Sequence, residues 1–359
     1  MTSAGIERAT AAGDTHTLDE RRVLRERAED LRARLQSPTS ALRHAPVATA
    51  PIVWNNVDVA ELRSGTDTDT ILDEIARTGF DGVQHGLGFP TGSALRDALA
   101  ARGLRLAVVY ASLPATVDGP TESAAAVGRE RLQLLAEGGG DVLTTALDVT
   151  PERSRAAGRV DELCAPRLTN AGWDRLAETL DALAAQAADR GVRVVFHPHA
   201  GTFVETPDEV ERLVAETTGS PVGLCLDVGH AIVGGGDPVA MLDSFGERVT
   251  HVHVKDVDPA VLVRLRAGQL GDFGEAVRAR LFTELGAGLL DVAGVLRSLA
   301  RRDYAGWLIV EQDSAWGPPA EAAAIGRRVL AAVLRDVGAE LARAQATAAA
   351  RETNDGGRA

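Results

Sequence analysis

The feature of the sequence that most constrains its fold is a repeat of short apolar runs separated by amphipathic helical stretches. Eight such runs lie near residues 50–54, 81–85, 104–110, 141–145, 192–197, 221–227, 249–254 and 306–311. Each run has the length and composition of a buried strand, and helical periodicity separates one run from the next. Eight βα units over about 250–300 residues are typical of a closed α/β barrel of parallel strands, the (β/α)8 or TIM barrel. A doubly wound sheet with fewer strands is the alternative.

The segments around this repeat divide the chain into three parts. Residues 1–46 are predicted to be an extension, partly helical and partly disordered, because Thr17-x-x-Glu20 begins a capping-box pattern in a charged stretch. The barrel domain is predicted over residues 47–340. Residues 257–290 are too long for a plain loop, so they predict an insertion after the seventh strand with one or two helices over the barrel mouth. Residues 341–359 are predicted to be a flexible tail.

Composition and charge narrow the classes of partner. The formal net charge is −13, and no block rich in lysine and arginine is present. Binding to nucleic acid or to an anionic membrane requires clustered cations, so both partners are disfavoured. Two cysteines cannot form a disulfide framework, and the first 20 residues lack the apolar core of a signal peptide. The sequence therefore predicts a cytoplasmic protein, and a homo-oligomer is compatible with it.

Histidines and carboxylates are concentrated at the ends of the last four predicted strands. The fifth strand ends at His197 and His199, the sixth at Asp227 with His230 close behind, the seventh carries His251, His253 and Lys255, and the eighth ends at Glu311. Five of the eight histidines of the chain fall in this set. In an eight-stranded barrel, the carboxyl ends of the strands meet at the face that carries the active site.

Two imidazoles and two carboxylates converging on one buried point require a compensating partner, and a divalent cation is the obvious one. Residues two apart on a strand share a face, so His253 is placed nearer the mouth than His251. We predict that the metal ligands are His197, Asp227, His253 and Glu311. Mixed nitrogen and oxygen ligation favours Mn²⁺, with Co²⁺, Zn²⁺ or Fe²⁺ as alternatives. His199 is the alternative ligand from the fifth strand.

The stretches FHPHAGT, LDVGH, HVHVKD and WLIVEQD resemble the xylose isomerase-like TIM barrels, and the resemblance extends over roughly residues 48–340. APIVWNN, HPHAGTFVET and HVHVKDVDPAVLVRLRAGQ are most similar to the inosose (2-keto-myo-inositol) dehydratase branch. The resemblance matches Asp227, His253 and Glu311 to metal ligands of the family. It places His197 where many isomerases and epimerases have a glutamate.

The resemblance implies a metal-dependent enzyme that removes a proton next to a carbonyl of a sugar or cyclitol. Loss of a β-hydroxyl then gives a dehydratase, which is a lyase, and return of a proton gives the alternative, a sugar or sugar-phosphate isomerase or epimerase. The candidate catalytic residues are His230, Glu311, His199 and Lys255, and the candidate substrate-binding residues are Trp54, Asn55, Gln84 and His85.

Two other functions are compatible with a barrel of this kind. An endonuclease of the endonuclease IV type is disfavoured, because the additional histidine ligands of that enzyme are missing and the net charge has the wrong sign. A carbohydrate-binding barrel without turnover stays open, and measurement of tightly held metal would distinguish it from an enzyme.

Overall fold

The structure is a computed structural model that describes residues 42, 45–315 and 317–355; the side chains of residues 342 and 344–355 are not described. In the described part of the chain, eight parallel strands close a barrel in the order β1-β8-β7-β6-β5-β4-β3-β2. The strands are β1 Val47–Thr49, β2 Gly82–Gln84, β3 Arg105–Leu113, β4 Val142–Leu147, β5 Arg193–Phe196, β6 Gly223–Asp227, β7 Val249–Val254 and β8 Leu308–Val310. The chain therefore folds as the predicted (β/α)8 barrel.

Helices follow the strands and pack around them. They are α1 Thr68–Thr78, α2 Gly92–Ala100, α3 Ala124–Gly138, α4 Pro151–Ala156, α5 Asn170–Ala188, α6 Pro207–Glu216, α7 Val228–Val233, α8 Pro238–Phe245, α9 Pro259–Arg266, α10 Phe273–Arg278, α11 Val292–Ala300 and α12 Pro319–Asp355. Polar caps determine where many of them begin. At α6 the Thr206 side chain accepts the N–H of Glu209, and the Glu209 carboxylate accepts the N–H of Thr206. This reciprocal pair satisfies two backbone donors that the first turn leaves free.

Successive side chains of each strand point to opposite faces of the barrel wall, and this alternation separates two apolar layers. Outward positions such as Val252 and Val254 join the large core between strands and helices. Inward positions such as Val195, Cys225 and Ile309 form a small apolar cluster within the barrel. Because side chains alternate along a strand, the next inward positions on β5–β8 lie one layer nearer the carboxyl ends. The functional residues occupy that layer.

Seven of the eight predicted strands are confirmed, and the first was predicted wrongly. Residues 50–54 do not form a strand, because β1 ends at Thr49 and Pro51–Val53 forms a 3-10 turn. Proline has no N–H to donate to a sheet and favours the start of a helical turn. The strand is the preceding run, Val47–Thr49, which lies in the barrel between β8 and β2.

The predicted insertion after the seventh strand is confirmed. It contains α9, α10 and a two-stranded hairpin of Asp256–Val257 with Phe282–Thr283. The Asp256 carboxylate fixes the end of the insertion by accepting hydrogen bonds from the N–H groups of Gly286, Gly288 and Leu290. A β-carbon at Gly288 would lie 2.4 Å from the Asp256 carboxylate, so this turn requires glycine.

The structure tests only part of what was predicted for the two ends of the chain. Residues 1–41, which include the predicted amphipathic helix, lie outside the described residues. The backbone of α12 runs on to Asp355, into the segment predicted as a tail. The domain boundaries at 46 and 341 stay predictions. Among the described residues, no helix is both long and apolar enough to cross a membrane.

Candidate metal centre

Four adjacent strands bring the predicted ligands to one layer at the mouth of the barrel. Asp227 ends β6 and is paired in register with His253 on β7. His197 directly follows β5, and Glu311 directly follows β8. Relative exposure is only 2% for His197, 2% for Asp227 and 1% for His253. Titratable side chains therefore converge where water is largely excluded.

The Oδ2 atom of Asp227 lies at the centre of the cluster. It is 3.5 Å from Nε2 of His197 and 3.6 Å from Nδ1 of His253. Nδ1 of His253 lies 2.7 Å from Oε2 of Glu311. Ligand atoms of Asp227, His253 and Glu311 all lie within 4.8 Å of one another. A small shift of these side chains would bring all three to a common ion.

Several buried polar atoms of the cluster lack a hydrogen-bond partner, which is consistent with a site for a cation. Oδ2 of Asp227, both ring nitrogens of His253 and Oε2 of Glu311 are buried and have no hydrogen-bond partner. Orphaned buried polar atoms are rare in proteins, because leaving one unpaired costs about 1–3 kcal/mol. His253 and Glu311 lie 2.7 Å apart as an ion pair when the ring is protonated, and a cation that bound both atoms would replace that pair. Nitrogen and carboxylate donors of this kind suit a divalent transition metal.

The position of His197 supports it, rather than His199, as the ligand from the fifth strand. Among the described residues, His197 belongs to two groups of side chains with metal-ligand spacing, and His199 belongs to none. The ring of His199 stacks on His230 with centroids 3.7 Å apart. Its Nδ1 bonds to the carbonyl oxygen of Ala200 at 2.8 Å. Nδ1 therefore carries the proton, and Nε2 is the bare nitrogen.

Lys255 supplies a fixed positive charge beneath the cluster. Its Nζ atom lies 2.6 Å from Oε1 of Glu311, 2.9 Å from Oδ1 of Asp313 and 3.5 Å from Oδ2 of Asp227. Three carboxylates and one ammonium leave a formal charge of −2 when all are ionised. A divalent cation would neutralise that charge, so its binding favours the ionised form of all three carboxyl groups.

The pKa values of the two carboxyl groups after β8 are pushed apart. For Glu311, burial raises the pKa, but the positive charges of Lys255 and His253 lower it by more, so the pKa lies well below the usual range. For Asp313, burial dominates over the pairing with Lys255 and raises the pKa to about 7. Burial also lowers the pKa of His199 to about 3, which keeps its ring neutral. An ionised Glu311 thus lies beside an Asp313 that is about half protonated near neutral pH.

A cavity of about 600 Å³ opens beside this cluster and extends across the mouth of the barrel. Residues from the metal side that line it are His197, His199, His253, Glu311 and Asp313. Polar residues from the other half of the barrel that line it are Asp58, Gln84, His85, Tyr110, Ser112, Arg131 and Asp148. The cavity can therefore hold a polar ring in contact with the candidate metal ligands.

The structure separates the predicted site residues into those that face the cavity and those that do not. Gln84 and His85 line it, and their contacts with a substrate stay a prediction. Trp54 is fully buried and donates its indole N–H to Glu74, and Asn55 donates to the carbonyl of Thr66 within its own loop. The substrate role predicted for Trp54 and Asn55 is not supported by this placement, because both side chains hold the loop after β1.

His230 and Lys255 also lie behind the cavity rather than in its wall. Both are at least 98% buried, and their ring and ammonium nitrogens are 3.2 Å apart. Their position favours a supporting role over contact with a substrate.

Asp313 was missed by the sequence reasoning, although its spacing of two residues from Glu311 is a usable signal. Asp58, in the loop after β1, gave no such signal.

An eight-stranded α/β barrel with a candidate metal centre of histidines and carboxylates at its mouth defines the class of protein. The sequence model of the xylose isomerase-like TIM barrels matches residues 72–333, and the chain belongs to this family.

Three known proteins illustrate the relationship. The chain is 34% identical over 290 residues to an inosose dehydratase of Bacillus velezensis, covering 80% of this chain and 96% of the relative. It is 35% identical over 318 residues to the rhizopine catabolism protein MocC of Rhizobium meliloti, covering 86% and 94%. It also resembles a solved structure of the IolI protein with a bound zinc atom, with a TM-score of 0.58, 14% identity and coverage of 81% and 99%. The last likeness concerns the fold alone.

Proposed function

We propose that this protein is a metal-dependent lyase that removes water from a ketone of a cyclitol or sugar, as an inosose dehydratase does. The observation that carries the proposal is the cluster of unpaired buried ligand atoms on β6–β8, open to a polar cavity. Relatives named inosose dehydratase align over most of the chain, which supports the same chemistry. We also propose that the protein acts in the cytoplasm.

The metal would be held by His197, Asp227, His253 and Glu311. We propose Mn²⁺, with Co²⁺, Zn²⁺ and Fe²⁺ as alternatives. A bound divalent ion supplies a Lewis acid for the carbonyl oxygen, on which negative charge develops as the neighbouring proton leaves. The four residues provide a formal charge of −2, which matches the charge of the ion, and a glutamate in place of His197 would weaken the polarisation of the carbonyl.

Glu311 and Asp313 are the residues that we assign to proton transfer. Both line the cavity, both contact the ammonium group of Lys255, and their pKa values are displaced in opposite directions. Neighbouring carboxyl groups with separated pKa values are a common source of an acid and a base. The ionised Glu311 accepts the proton next to the carbonyl. Asp313 gives a proton to the departing hydroxyl in the fraction of the loaded enzyme that still carries this proton, and that fraction grows as the pH falls. Nε2 of His199 accepts a hydrogen bond from a ring hydroxyl.

The test is incubation of the metal-loaded protein with a keto-inositol, followed by ultraviolet absorption and mass spectrometry. Elimination yields a conjugated or dicarbonyl product that absorbs and weighs one water less. The Asp313→Asn variant is expected to lose most of this activity, because no proton is available for the hydroxyl. Asp148→Asn, which changes another carboxylate of the cavity, is the matched control. Turnover of Asp313→Asn at the wild-type rate would refute the assignment of the acid.

The same experiment separates the alternative, an isomerase or epimerase. That reaction changes the sugar without loss of mass or gain of absorption. Epimerisation requires a base and an acid on opposite faces of one carbon. The imidazole of His197, where many family members have a glutamate, removes one of the two groups that would serve. An isomerised product of unchanged mass would overturn the dehydratase proposal.

A further inference from the structure

Cys225 lies inside the barrel, directly below the candidate metal centre. It is fully buried on β6, two residues before Asp227 and on the same inward face. In the register of β6 with β7, Cys225 pairs with His251, and Asp227 pairs with His253 one layer above. The thiol therefore approaches the candidate ligands from the side opposite to the cavity. Cys164, the other cysteine, is exposed.

Ligand atoms of His197, Cys225 and His253 all lie within 4.8 Å of one another. Nδ1 of His197 and both ring nitrogens of His253 are buried and have no hydrogen-bond partner. These atoms form a second set with metal-ligand spacing, which shares His253 with the set of Asp227 and Glu311. The two sets differ in chemistry, because one offers a sulfur atom and the other offers carboxylate oxygens.

We propose that His197, Cys225 and His253 form a second metal site, one layer deeper than the oxygen-containing one, which selects thiophilic divalent ions such as Zn²⁺, Cd²⁺ and Co²⁺. Thiolate and imidazole ligands suit these ions, and Mn²⁺ and Mg²⁺ favour carboxylates. Binding releases the thiol proton to solvent, so the sulfur coordinates as a thiolate. Separations of up to 4.8 Å require the three side chains to close in slightly, since Zn–S is about 2.3 Å and Zn–N about 2.0–2.1 Å.

The upper site, formed by His197, Asp227, His253 and Glu311, shares His197 and His253 with the deep site, so the two positions are mutually exclusive. An ion in the deep site occupies a ring that the upper site needs, and it lies farther from the cavity and from any substrate carbonyl. The ligands therefore sort cations: Mn²⁺ favours the upper site, whereas Zn²⁺, Cd²⁺ and Co²⁺ favour the deep site although nitrogen and oxygen ligands also bind them. A soft ion in the deep site is expected to displace Mn²⁺ from the upper one. This inference does not depend on the reaction that the protein catalyses.

The first test is titration of the metal-free protein with Co²⁺, followed in the near ultraviolet, where cobalt bound to a thiolate absorbs strongly. The wild type and the Cys164→Ser variant are expected to show the band at one equivalent of Co²⁺. Cys225→Ser and Cys225→Ala are expected to lose it while still binding Co²⁺ through the upper ligands. An unchanged band in both Cys225 variants, or no band in the wild type, would overturn the proposal.

The second test needs no variant and covers the case in which Cys225 substitutions disturb folding. X-ray absorption of the Zn²⁺-loaded wild type is expected to show one sulfur neighbour at about 2.3 Å beside nitrogen neighbours. A shell made only of nitrogen and oxygen would refute the deep site. In competition with bound Mn²⁺, followed by electron paramagnetic resonance, Cys225→Ser is expected to require at least tenfold more Cd²⁺ than the wild type for half displacement. Equal Cd²⁺ concentrations would contradict the proposal.

Discussion

The Asp313→Asn substitution is expected to flatten the pH dependence of metal binding. Asp227, Glu311 and Asp313 surround the single ammonium group of Lys255, and burial leaves Asp313 with a pKa of about 7. A divalent cation in the site repels the proton on Asp313, so binding releases it. Metal affinity must therefore rise as the pH increases through 7.

The magnitude follows from the pKa. With a pKa of about 7, roughly one eleventh of Asp313 is ionised at pH 6 and about ten elevenths at pH 8, so this group alone contributes about a tenfold rise in affinity. His253 adds to the wild-type slope, because burial opposes its protonation but Cys225 and Glu311 raise its pKa well above the usual value. Asparagine carries no proton to release, so the ratio of affinities at pH 8 and pH 6 is expected to fall about tenfold.

Isothermal titration with Mn²⁺ at pH 6 and pH 8, at constant ionic strength, measures both ratios. Asp148→Asn is the control, because Asp148 lines the same cavity but is bonded to Ser112 rather than to Lys255. The control is expected to keep the wild-type ratio. The reasoning is wrong if Asp313→Asn keeps that ratio as well, since the proton displaced by the metal would then come from elsewhere.

Three further substitutions, one of them with a matched control, test separate parts of the structure. Lys255→Met leaves the buried carboxylates without their cation, so the free energy of unfolding of the metal-free protein, measured by urea denaturation, is expected to fall by about 3–5 kcal/mol. Mn²⁺ should raise the melting temperature of this variant more than that of the wild type. Arg153→Ala removes a buried pair with Glu209 at 2.8 Å and is expected to cost a similar amount, whereas Arg155→Ala, at an exposed position, should cost under about 1 kcal/mol in the same assay. His197→Glu is expected to keep metal binding but lower kcat for elimination, because the added negative charge weakens polarisation of the carbonyl; an unchanged kcat would contradict the role of His197.

The barrel was predictable because the signal repeats. Each strand after the first combines an apolar run with neighbouring turn residues, and an error in one unit does not change the count. The first strand was misplaced because Ala50–Trp54 is as apolar as the true strand, and only Pro51 indicates that the chain turns there. The missing N–H donor of a proline is stronger evidence against a central strand than an apolar composition is evidence for one.

The candidate ligands were predictable because they follow strands whose direction the barrel fixes. Alternation along β7 distinguished His253 from His251, and the same rule applied to Glu311 would have identified Asp313. Residues on the other half of the cavity were not predictable in this way. Tyr110 faces the cavity from within β3, and Arg131 reaches it from α3, so their contribution depends on tertiary packing that no local pattern encodes.

The measurement that tests the central claim most directly is anomalous X-ray scattering from a crystal grown with Mn²⁺. The account predicts one strong peak at the mouth of the barrel, about 2.0–2.3 Å from a nitrogen of His197, a nitrogen of His253 and carboxylate oxygens of Asp227 and Glu311. It is contradicted if the protein holds no stoichiometric metal after loading, or if the peak lies elsewhere and these four side chains do not contact it.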